Sequence, residues 1–313
     1  MPRRHILRAQ QFDMELLKTI FRRADQFAIW NEVPWMKETV RERCRGRVQV
    51  SLFYQPSTRT RISFGIAAHR LGIHVEPTEN AREFSSAIKG ESLEDTIRVL
   101  NAYEVDLIVL RHYEEGAAQR AAAVSSCPII NAGDGPGQHP TQALLDLYTI
   151  RQSHFEIDGI TVVIGGDLTR GRTARSLAYL LSKYKDVRII FVAPPELRMG
   201  SDVLDHLKEH GIAFAEHDVL EDVAPDADVV YWTRTQTEHP LDGIDDNALQ
   251  ARYCIDEHII DIMKSDAIVM HPLPRNSEIS TAIDGNLRAV YFRQAGNGVP
   301  VRMAAIEWTL GLL

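Results

Sequence analysis

Cysteine is scarce in this sequence. The 313 residues include three cysteines, Cys44, Cys127 and Cys254, an odd number at wide spacing. This arrangement fits neither a disulfide framework nor a zinc site built from paired cysteine ligands. The cysteine pattern therefore predicts a protein of a reducing compartment.

Long apolar runs are missing as well. No stretch approaches the roughly 20 consecutive apolar residues that are needed to cross a bilayer. The first eight residues, Met-Pro-Arg-Arg-His-Ile-Leu-Arg, lack the apolar segment of a signal peptide. We therefore expect a cytoplasmic protein that has no membrane partner.

The chain has no excess of positive charge, since its formal net charge is -8 at pH 7. General nucleic-acid binders need an excess of lysine and arginine to release counterions from phosphates. The basic stretch from Arg41 to Arg47 is short and contains Glu42, so we interpret it as solvated surface. No nucleic-acid partner is expected.

Several common enzyme signatures do not occur. The sequence contains no G-x-x-x-x-G-K-[ST] phosphate loop, no H-E-x-x-H zinc pair and no G-x-S-x-G nucleophile elbow. The segment from Gly165 to Gly171 departs from the G-x-G-x-x-G spacing, and its Asp167 would face the pyrophosphate of a dinucleotide. We therefore expect no cofactor and no metal, and catalysis by substrate positioning and electrostatics.

Apolar, β-branched runs alternate with amphipathic helical patterns along the chain. Six runs read as strands: residues 48–54, 107–110, 161–164, 187–192, 229–233 and 267–270. Strands that are apolar on both faces are typical of parallel sheets covered by helices. The sequence predicts an α/β protein with two doubly wound parallel sheets. A glycine-rich loop over residues 131–137 and a helical pattern over 141–150 mark the domain change, and the chain ends in a helical segment over 302–313.

The segment Ser57-Thr-Arg-Thr-Arg61 lies between the first strand and a helical pattern over residues 62–71. Hydroxyl and guanidinium groups at a helix start, together with unbonded backbone N–H groups, form an anion site. Simple helix capping by serine or threonine is the alternative. Two arginines in a first helical turn oppose the helix dipole unless an anion neutralises them, so the segment favours phosphate binding.

Polar groups follow the other strands too. Ligands of open α/β sheets bind at the carboxyl ends of the strands, so these positions carry most weight. The polar groups that follow strands, together with His139 and Gln142 near the start of the 141–150 pattern, form a set of donors suited to an anionic substrate. The set is Ser57, Thr58, Arg59, Thr60, Arg111, His139, Gln142, Arg172, Arg234 and Gln236.

Two histidine-proline motifs add to this set. In His139-Pro-Thr-Gln142 the helix N-terminus favours a neutral imidazole, which can polarise a carbonyl group. In His271-Pro-Leu-Pro274 the prolines hold a loop whose Leu273 and Pro274 carbonyls are left to accept hydrogen bonds. A purely structural turn is an equal alternative for the second motif.

The motifs and their order resemble those of aspartate carbamoyltransferase catalytic chains, over nearly the whole sequence. The matching segments begin with Phe53-Tyr-Gln-Pro-Ser-Thr-Arg-Thr-Arg61, Lys89-Gly-Glu-Ser-Leu93, Leu110-Arg-His112, Asn131-Ala-Gly-Asp-Gly135 and His139-Pro-Thr-Gln142. They continue with Gly166-Asp-Leu-Thr-Arg-Gly-Arg172, Thr233-Arg-Thr-Gln236, His271-Pro-Leu-Pro274 and Tyr291-Phe-Arg-Gln-Ala-Gly-Asn-Gly298.

The resemblance implies transfer of a carbamoyl group from carbamoyl phosphate to the amine of L-aspartate in pyrimidine synthesis. It implies that carbamoyl phosphate is bound by Ser57, Thr58, Arg59, Thr60, Arg111, His139, Gln142, Leu273 and Pro274. Catalytic roles fall to Arg59, Thr60, Arg111 and His139. Aspartate is received by Lys89, Arg172, Arg234 and Gln236.

The same resemblance implies a domain plan and an assembly. Residues 1–139 with a C-terminal helix over 299–313 would bind carbamoyl phosphate, residues 140–298 would bind aspartate, and the active site would lie in the interdomain cleft. The family forms homotrimers with shared active sites, in which Ser85 and Lys89 reach into a neighbouring subunit's site. Larger assemblies with regulatory or dihydroorotase chains stay open.

Some positions depart from the family pattern. Gln55 stands where an acidic residue is usual, and Gly65 stands where the glutamate of Ser-Phe-Glu is common. Thr237 and His239 replace frequent basic residues. They predict an altered affinity for aspartate. One alternative is a sister enzyme acting on another amino acid such as ornithine, which typically has His-Cys-Leu-Pro instead of the motif that contains Pro272. Another alternative is a catalytically silent binding subunit, which the intact phosphate segment disfavours.

Overall fold

The computed structural model describes residues 3–78, 80–81, 90–235 and 253–313. The chain forms two compact units. Unit 1 consists of Met1–Gln142 and Asn297–Leu313, and unit 2 consists of Ala143–Gly296. Within the described residues, no helix combines the length and the apolar character that crossing a bilayer requires.

Each unit is built around one parallel sheet. The strands are β1 Val48–Phe53, β2 His74–Thr78, β3 Leu107–His112, β4 Ile129–Asp134, β5 Thr161–Gly165, β6 Arg188–Val192, β7 Ala213–His217, β8 Val229–Trp232 and β9 Ile268–Met270. The strand order is β2-β1-β3-β4 in unit 1 and β7-β6-β5-β8-β9 in unit 2. Both orders change direction once, as in doubly wound sheets, so the predicted fold class is confirmed.

Ten α-helices connect the strands or flank them in the described parts of the chain. They are α1 Met14–Trp30, α2 Pro34–Arg41, α3 Thr58–Arg70, α4 Leu93–Ala102, α5 Ala117–Val124, α6 Pro140–Ser153, α7 Arg172–Leu181, α8 Ser201–Glu209, α9 Glu257–Ile262 and α10 Tyr291–Thr309. The chain passes between the two units within α6 and within α10.

All six predicted strands are present. The prediction of a glycine-rich loop over residues 131–137 was wrong for its first half. Residues Asn131 to Asp134 belong to β4, which pairs with β3 through Leu110 and Asn131. The ladder is irregular beyond that pair, and Gly133 adopts a φ of 115° there. A glycine tolerates this conformation without steric cost, so the strand continues through an irregularity that reads as a loop.

The C-terminal helix also begins earlier than the predicted start at residue 302. Helix α10 starts at Tyr291 and runs through Gly296, Gly298 and Pro300. Glycine and proline in a helix cost about 1 and 3 kcal/mol. Burial of long side chains such as Tyr291 and Met303, both fully buried, offsets that cost through removal of apolar surface from water.

A buried charge cluster ties the end of α10 to the rest of unit 1. The Glu307 carboxylate is fully buried and accepts hydrogen bonds from Arg23 Nε and Nη2, at 2.6 and 3.1 Å, and from Arg43 Nε. The Arg23 guanidinium also lies 4.5 Å from the centre of the Phe27 ring. Burial and the nearby Glu307 charge raise the pKa of Cys44 to about 11. One carboxylate therefore neutralises two arginines in a region of low dielectric constant.

Replacing this carboxylate should destabilise unit 1 strongly. Glu307→Gln keeps the volume of the side chain but leaves Arg23 and Arg43 without a buried counter-charge. We expect a loss of about 3–5 kcal/mol in the free energy of unfolding, measured by urea unfolding monitored by tryptophan fluorescence. The matched control is Glu15→Gln, which breaks an exposed pair with Lys18. The control should change stability by less than about 1 kcal/mol, and equal losses in the two variants would contradict the role of Glu307.

Candidate active site

The turn from β1 into α3 holds the predicted phosphate segment. Ser57 is the N-cap residue of α3 and its backbone is extended, but its side chain makes no capping hydrogen bond. The first turn of the helix contains no acidic residue. Capping therefore does not account for the Ser57 hydroxyl, which stands beside the positive end of a 13-residue helix. This geometry favours the anion-binding interpretation.

Exposure divides the residues of this turn into two groups. Thr58 and Arg59 are exposed to solvent, whereas the side chain of Thr60 is buried. Thr60 Oγ1 lies 3.5 Å from Nε2 of the buried His139, and Thr141 Oγ1 lies 3.5 Å from its Nδ1. The structure thus brings Thr60 and His139 together, as a threonine and an imidazole acting on one carbonyl oxygen would require.

Arg111 is the penultimate residue of β3, the strand next to β1. Its Cα is in register with Phe53, so the guanidinium starts from the same sheet end as the phosphate segment. The residue is 9% exposed, and its Nη1 donates to the carbonyl oxygen of Ala132 at 3.1 Å. A largely desolvated arginine held by a backbone carbonyl is a preorganised cation, which suits a developing negative charge.

The neighbouring histidine has a structural role. His112 Nδ1 accepts the N–H of Glu114 at 3.0 Å, and its ring packs against Tyr54 with centroids 4.8 Å apart. Burial lowers the pKa of His112, so the ring is neutral near pH 7. Gln142 lies in the first turn of α6, half-buried, and its N–H donates to the carbonyl of His139 at 3.0 Å.

The arginines of unit 2 stand at a similar place in their own sheet. Arg172 is the first residue of α7, after β5, and Arg234 lies two residues after the end of β8. Strands β5 and β8 are the adjacent pair at which the strand order changes direction. The side chains of Arg172 and Arg234 are half-buried, and Arg234 Nη1 donates to the carbonyl of Thr235 at 3.3 Å. Two guanidinium groups at such a position suit a ligand with carboxylates.

Close packing accounts for the glycines and the aspartate that follow β5. A Cβ atom on Gly165 would lie 2.1 Å from the Trp232 ring, and one on Gly166 would lie 2.0 Å from the carbonyl oxygen of Thr233. Asp167 is fully buried and binds Arg170 through both the side-chain Nε, at 2.5 Å, and the backbone N–H, at 3.1 Å. The segment is therefore shaped by contacts with β8 and by an internal ion pair.

The His271-Pro-Leu-Pro274 loop is organised by its own histidine. Nδ1 of the buried His271 accepts the N–H of Leu273 at 2.8 Å, so its proton is on Nε2, which lies 3.0 Å from Glu278 Oε1. Burial opposes ionisation of Glu278, but the contact with His271 and backbone N–H donors outweigh it and lower the pKa of that carboxyl. His271 therefore positions the loop, and the carbonyl groups of Leu273 and Pro274 are its functional candidates.

A second set of buried bonds supports the same loop. The N–H of His271 donates to Gln294 Oε1 at 2.9 Å, and Gln294 Nε2 donates to Asp146 Oδ1 at 2.7 Å. Tyr231 donates its hydroxyl to Asp146 Oδ2 at 2.9 Å, and all these side chains are buried. Burial, with the Asp146 charge, raises the pKa of Tyr231 far above its usual value, so the hydroxyl keeps the proton that it donates. The network joins β8, α6 and α10 to the loop.

This network was not predicted from the sequence. Asp146 had one available signal, a lone carboxylate within the apolar run from Ala143 to Tyr148. Gln294 lies in the family-like segment from Tyr291 to Gly298 but had no assigned role, and Glu278 had no signal that distinguishes it from surface residues. Other assignments fall outside the described residues, namely those of Ser85, Lys89, Gln236, Thr237 and His239.

Comparison with protein families gives two matches that together span most of the chain. Residues 4–152 match the family model described as the aspartate/ornithine carbamoyltransferase carbamoyl-P binding domain. Residues 158–309 match the model for the Asp/Orn binding domain of the same family.

Among curated proteins, the chloroplastic aspartate carbamoyltransferase of Arabidopsis thaliana is 49% identical over 306 residues, which cover 97% of this chain and 77% of the plant protein. The aspartate carbamoyltransferase catalytic subunit of Clostridium novyi is 43% identical over 99% of this chain and 98% of its own length.

Solved structures give the same result. The catalytic subunit of M. jannaschii aspartate transcarbamoylase has a TM-score of 0.88 and 42% identity, covering 98% of both chains. Aspartate transcarbamoylase from Trypanosoma cruzi, solved in complex with carbamoyl phosphate and aspartate, has a TM-score of 0.89 and 38% identity. That match covers 97% of this chain and 94% of the other.

The supporting network can be tested through Gln294. Gln294→Leu removes the donor to Asp146 and the acceptor for the His271 N–H, and it leaves both groups buried. We expect unit 2 to lose about 1–3 kcal/mol in the free energy of unfolding and the Leu273 amide to exchange hydrogen faster. The control is Gln152→Leu, which removes an exposed glutamine bonded to Tyr148 and should stay within about 0.5 kcal/mol. Unchanged exchange at Leu273 in Gln294→Leu would rule out this positioning role.

Proposed function

Because the chain belongs to the aspartate/ornithine carbamoyltransferase family, we propose that it is an aspartate carbamoyltransferase. The enzyme transfers the carbamoyl group of carbamoyl phosphate to the amine of L-aspartate and releases N-carbamoyl-L-aspartate and phosphate. This reaction belongs to pyrimidine biosynthesis. The observation that carries the proposal is the start of α3, where Ser57 makes no capping bond beside the exposed Thr58 and Arg59.

We propose that this helix start binds the phosphate group of carbamoyl phosphate. Arg59 has the bidentate geometry that suits phosphate oxygens, and the helix N-terminus adds backbone donors and a favourable dipole. Thr60, Arg111 and His139 act on the carbonyl oxygen, which is supported by the burial of all three residues and by the contact of Thr60 with His139. Gln142 and the carbonyl groups of Leu273 and Pro274 orient the carbamoyl NH₂.

Aspartate carries two carboxylates, and unit 2 offers two half-buried arginines, Arg172 and Arg234. Each guanidinium can form a bidentate pair with one carboxylate. Lys89 and Gln236 complete this assignment by resemblance alone. The two arginines therefore hold the substrate by its carboxylates and leave its amine available for reaction.

The chemistry needs no side-chain nucleophile. The unprotonated amine of aspartate attacks the carbonyl carbon, and the resulting oxyanion is stabilised by Thr60, Arg111 and His139. Phosphate then leaves and accepts the amine proton. Each preorganised donor on such an oxyanion contributes about 3 kcal/mol to the barrier reduction, and holding both substrates offsets the entropy of bringing them together.

The main competing function is carbamoylation of ornithine, because the family models cover both enzymes. An assay with carbamoyl phosphate decides between them when aspartate, ornithine and other amino acids are offered in parallel. We expect N-carbamoyl-L-aspartate and phosphate in equal amounts, with no citrulline. Citrulline without carbamoyl-aspartate would replace the proposal with the sister activity, and no product with any amino acid would support a silent subunit.

Two arginine variants separate the two substrates in the same assay. Arg59→Gln should raise the KM for carbamoyl phosphate and lower kcat, whereas Arg234→Gln should raise mainly the KM for aspartate. Each loss of charged hydrogen bonds should lower kcat/KM at least about tenfold. The controls are the exposed Arg120→Gln in unit 1 and Arg198→Gln in unit 2, which should keep full activity. A selective effect of Arg59→Gln on aspartate would contradict the assignment.

We further infer that the enzyme works as a homotrimer with shared active sites. The inference rests on the family resemblance, and the surface of unit 1 supports it. The exposed isoleucines Ile62 and Ile66 line a groove of about 970 Å³ together with Arg41, His69 and Arg70. An apolar groove rimmed by charges is typical of a protein interface.

Mixing two inactive variants tests the shared sites. Chains with Arg59→Ala and chains with Lys89→Ala are mixed under conditions that exchange subunits. If Lys89 acts in the neighbour's site, each mixed trimer contains about one site with both residues intact, and activity returns. The control mixes Arg59→Ala with Arg111→Ala, two residues of one subunit's own site, and should stay inactive. No recovery in the first mixture would rule out sharing through Lys89.

The scattered cysteines also support a reducing compartment, and we infer a cytoplasmic location. The plant relatives are named as chloroplastic proteins, so the compartment differs within the family. Fractionation of cells that produce the protein naturally would check this inference.

A further inference from the structure

Three metal-ligating side chains gather at the C-terminal end of α8 in unit 2. One ligand atom each from His206, Glu209 and His210 lie within 4.8 Å of one another. Glu209 and His210 follow His206 by three and four residues. These spacings place both residues next to His206 on one face of the helix. The two imidazole rings lie 3.9 Å apart between centroids, at 32° to each other. None of these residues belongs to the substrate sites proposed above.

Hydrogen bonds around His206 determine which ring nitrogen keeps a lone pair. The Ser182 hydroxyl donates its proton to the carbonyl of Tyr179 at 2.9 Å. Ser182 Oγ also lies 3.0 Å from His206 Nε2 and therefore accepts the Nε2 proton. The lone pair of His206 is thus on Nδ1. The Tyr179 ring packs edge-on against the imidazole, with centroids 4.8 Å apart, and helps to hold its orientation.

His210 is set in the same way by a backbone group. Its Nδ1 lies 2.8 Å from the carbonyl oxygen of His206, which can only accept a hydrogen bond. The proton is therefore on Nδ1 and the lone pair is on Nε2. Metal-binding histidines usually donate their other ring N–H to a carbonyl, hydroxyl or carboxylate, which fixes the tautomer and raises the basicity of the ligand nitrogen. Both histidines have that arrangement.

The local charges favour a cation at this position. The last carbonyl groups of a helix carry a partial negative charge, which stabilises cations near the C-terminus. Glu209 adds a carboxylate, and it is exposed like His210, so both ligands can adjust at low cost. The positive charge of Lys183, just beyond the end of α7, acts on His206 and opposes the binding of a cation there.

We propose that His206, Glu209 and His210 form a binding site for a divalent cation of the zinc class. Two imidazole nitrogens and one carboxylate oxygen are a typical zinc ligand set with a fourth position for water, whereas magnesium and calcium prefer oxygen ligands. Binding requires the ligand atoms, which lie within 4.8 Å of one another, to draw together until His210 Nε2 and His206 Nδ1 are each about 2 Å from one ion. The hydrogen bond between His206 and Ser182 would then connect the bound ion to the end of α7.

Calorimetric titration of the untagged protein with zinc chloride tests the proposal. The parent chain should bind Zn²⁺ at this site, and the double variant His206→Gln/His210→Gln should bind one ion fewer per chain. Single variants should weaken affinity at least about tenfold. The matched control is His258→Gln, an exposed histidine on α9, which should leave the titration unchanged.

Two further variants distinguish a built site from chance binding by surface histidines. Ser182→Ala removes the acceptor that sets the His206 tautomer and should weaken zinc binding about tenfold, while Ser182→Thr keeps the hydroxyl and the affinity. Lys183→Met removes the opposing charge and should tighten binding. Circular dichroism establishes that each variant is folded.

The proposal is overturned if the double variant binds the same number of zinc ions as the parent with the same affinity. It is also overturned if His258→Gln weakens binding as much as the His206 and His210 variants do. Because the readout is metal binding, the result does not depend on carbamoyltransferase activity.

Discussion

Parallel pairing at the point where the strand order changes direction is the constraint on which the candidate site depends. In unit 1 this pair is β1 and β3, and in unit 2 it is β5 and β8. The chain connections that follow the two strands of such a pair run to opposite faces of the sheet. The space at the carboxyl ends of the two strands therefore stays open for a ligand. Ser57 to Arg59 and Arg111 occupy this position in unit 1, and Arg172 and Arg234 occupy it in unit 2.

Buried polar bonds turn these positions into preorganised donors and acceptors. Arg111 is held by a backbone carbonyl of β4, and Thr60 stands next to His139. In unit 2, Gln294 and Asp146 hold the backbone of the loop that presents two carbonyl groups. Such groups need little reorganisation when charge develops on a substrate.

The central strands of both sheets were predictable from sequence, whereas three strands at sheet edges were not. Strands β2 and β7 are largely exposed and lack apolar runs, and β2 contains Pro77. Strand β4 is buried, but Gly133 interrupts its pattern and made it read as a loop. The apolar signal of a strand reflects burial on both faces, so exposed edge strands and irregular strands carry little of it, whereas the buried edge strand β9 was predicted.

The amino-acid sequence by itself determined which donor types follow which strands, and therefore the fold class, the family and the anionic character of the substrates. Only the tertiary structure decided which of these polar groups are bonded within the fold. Ser57 makes no cap bond, whereas His271 is bonded to its own loop and Ser182 selects the tautomer of His206. The physical reason is that a side chain's hydrogen bonds depend on neighbours in space, which residue order alone does not specify.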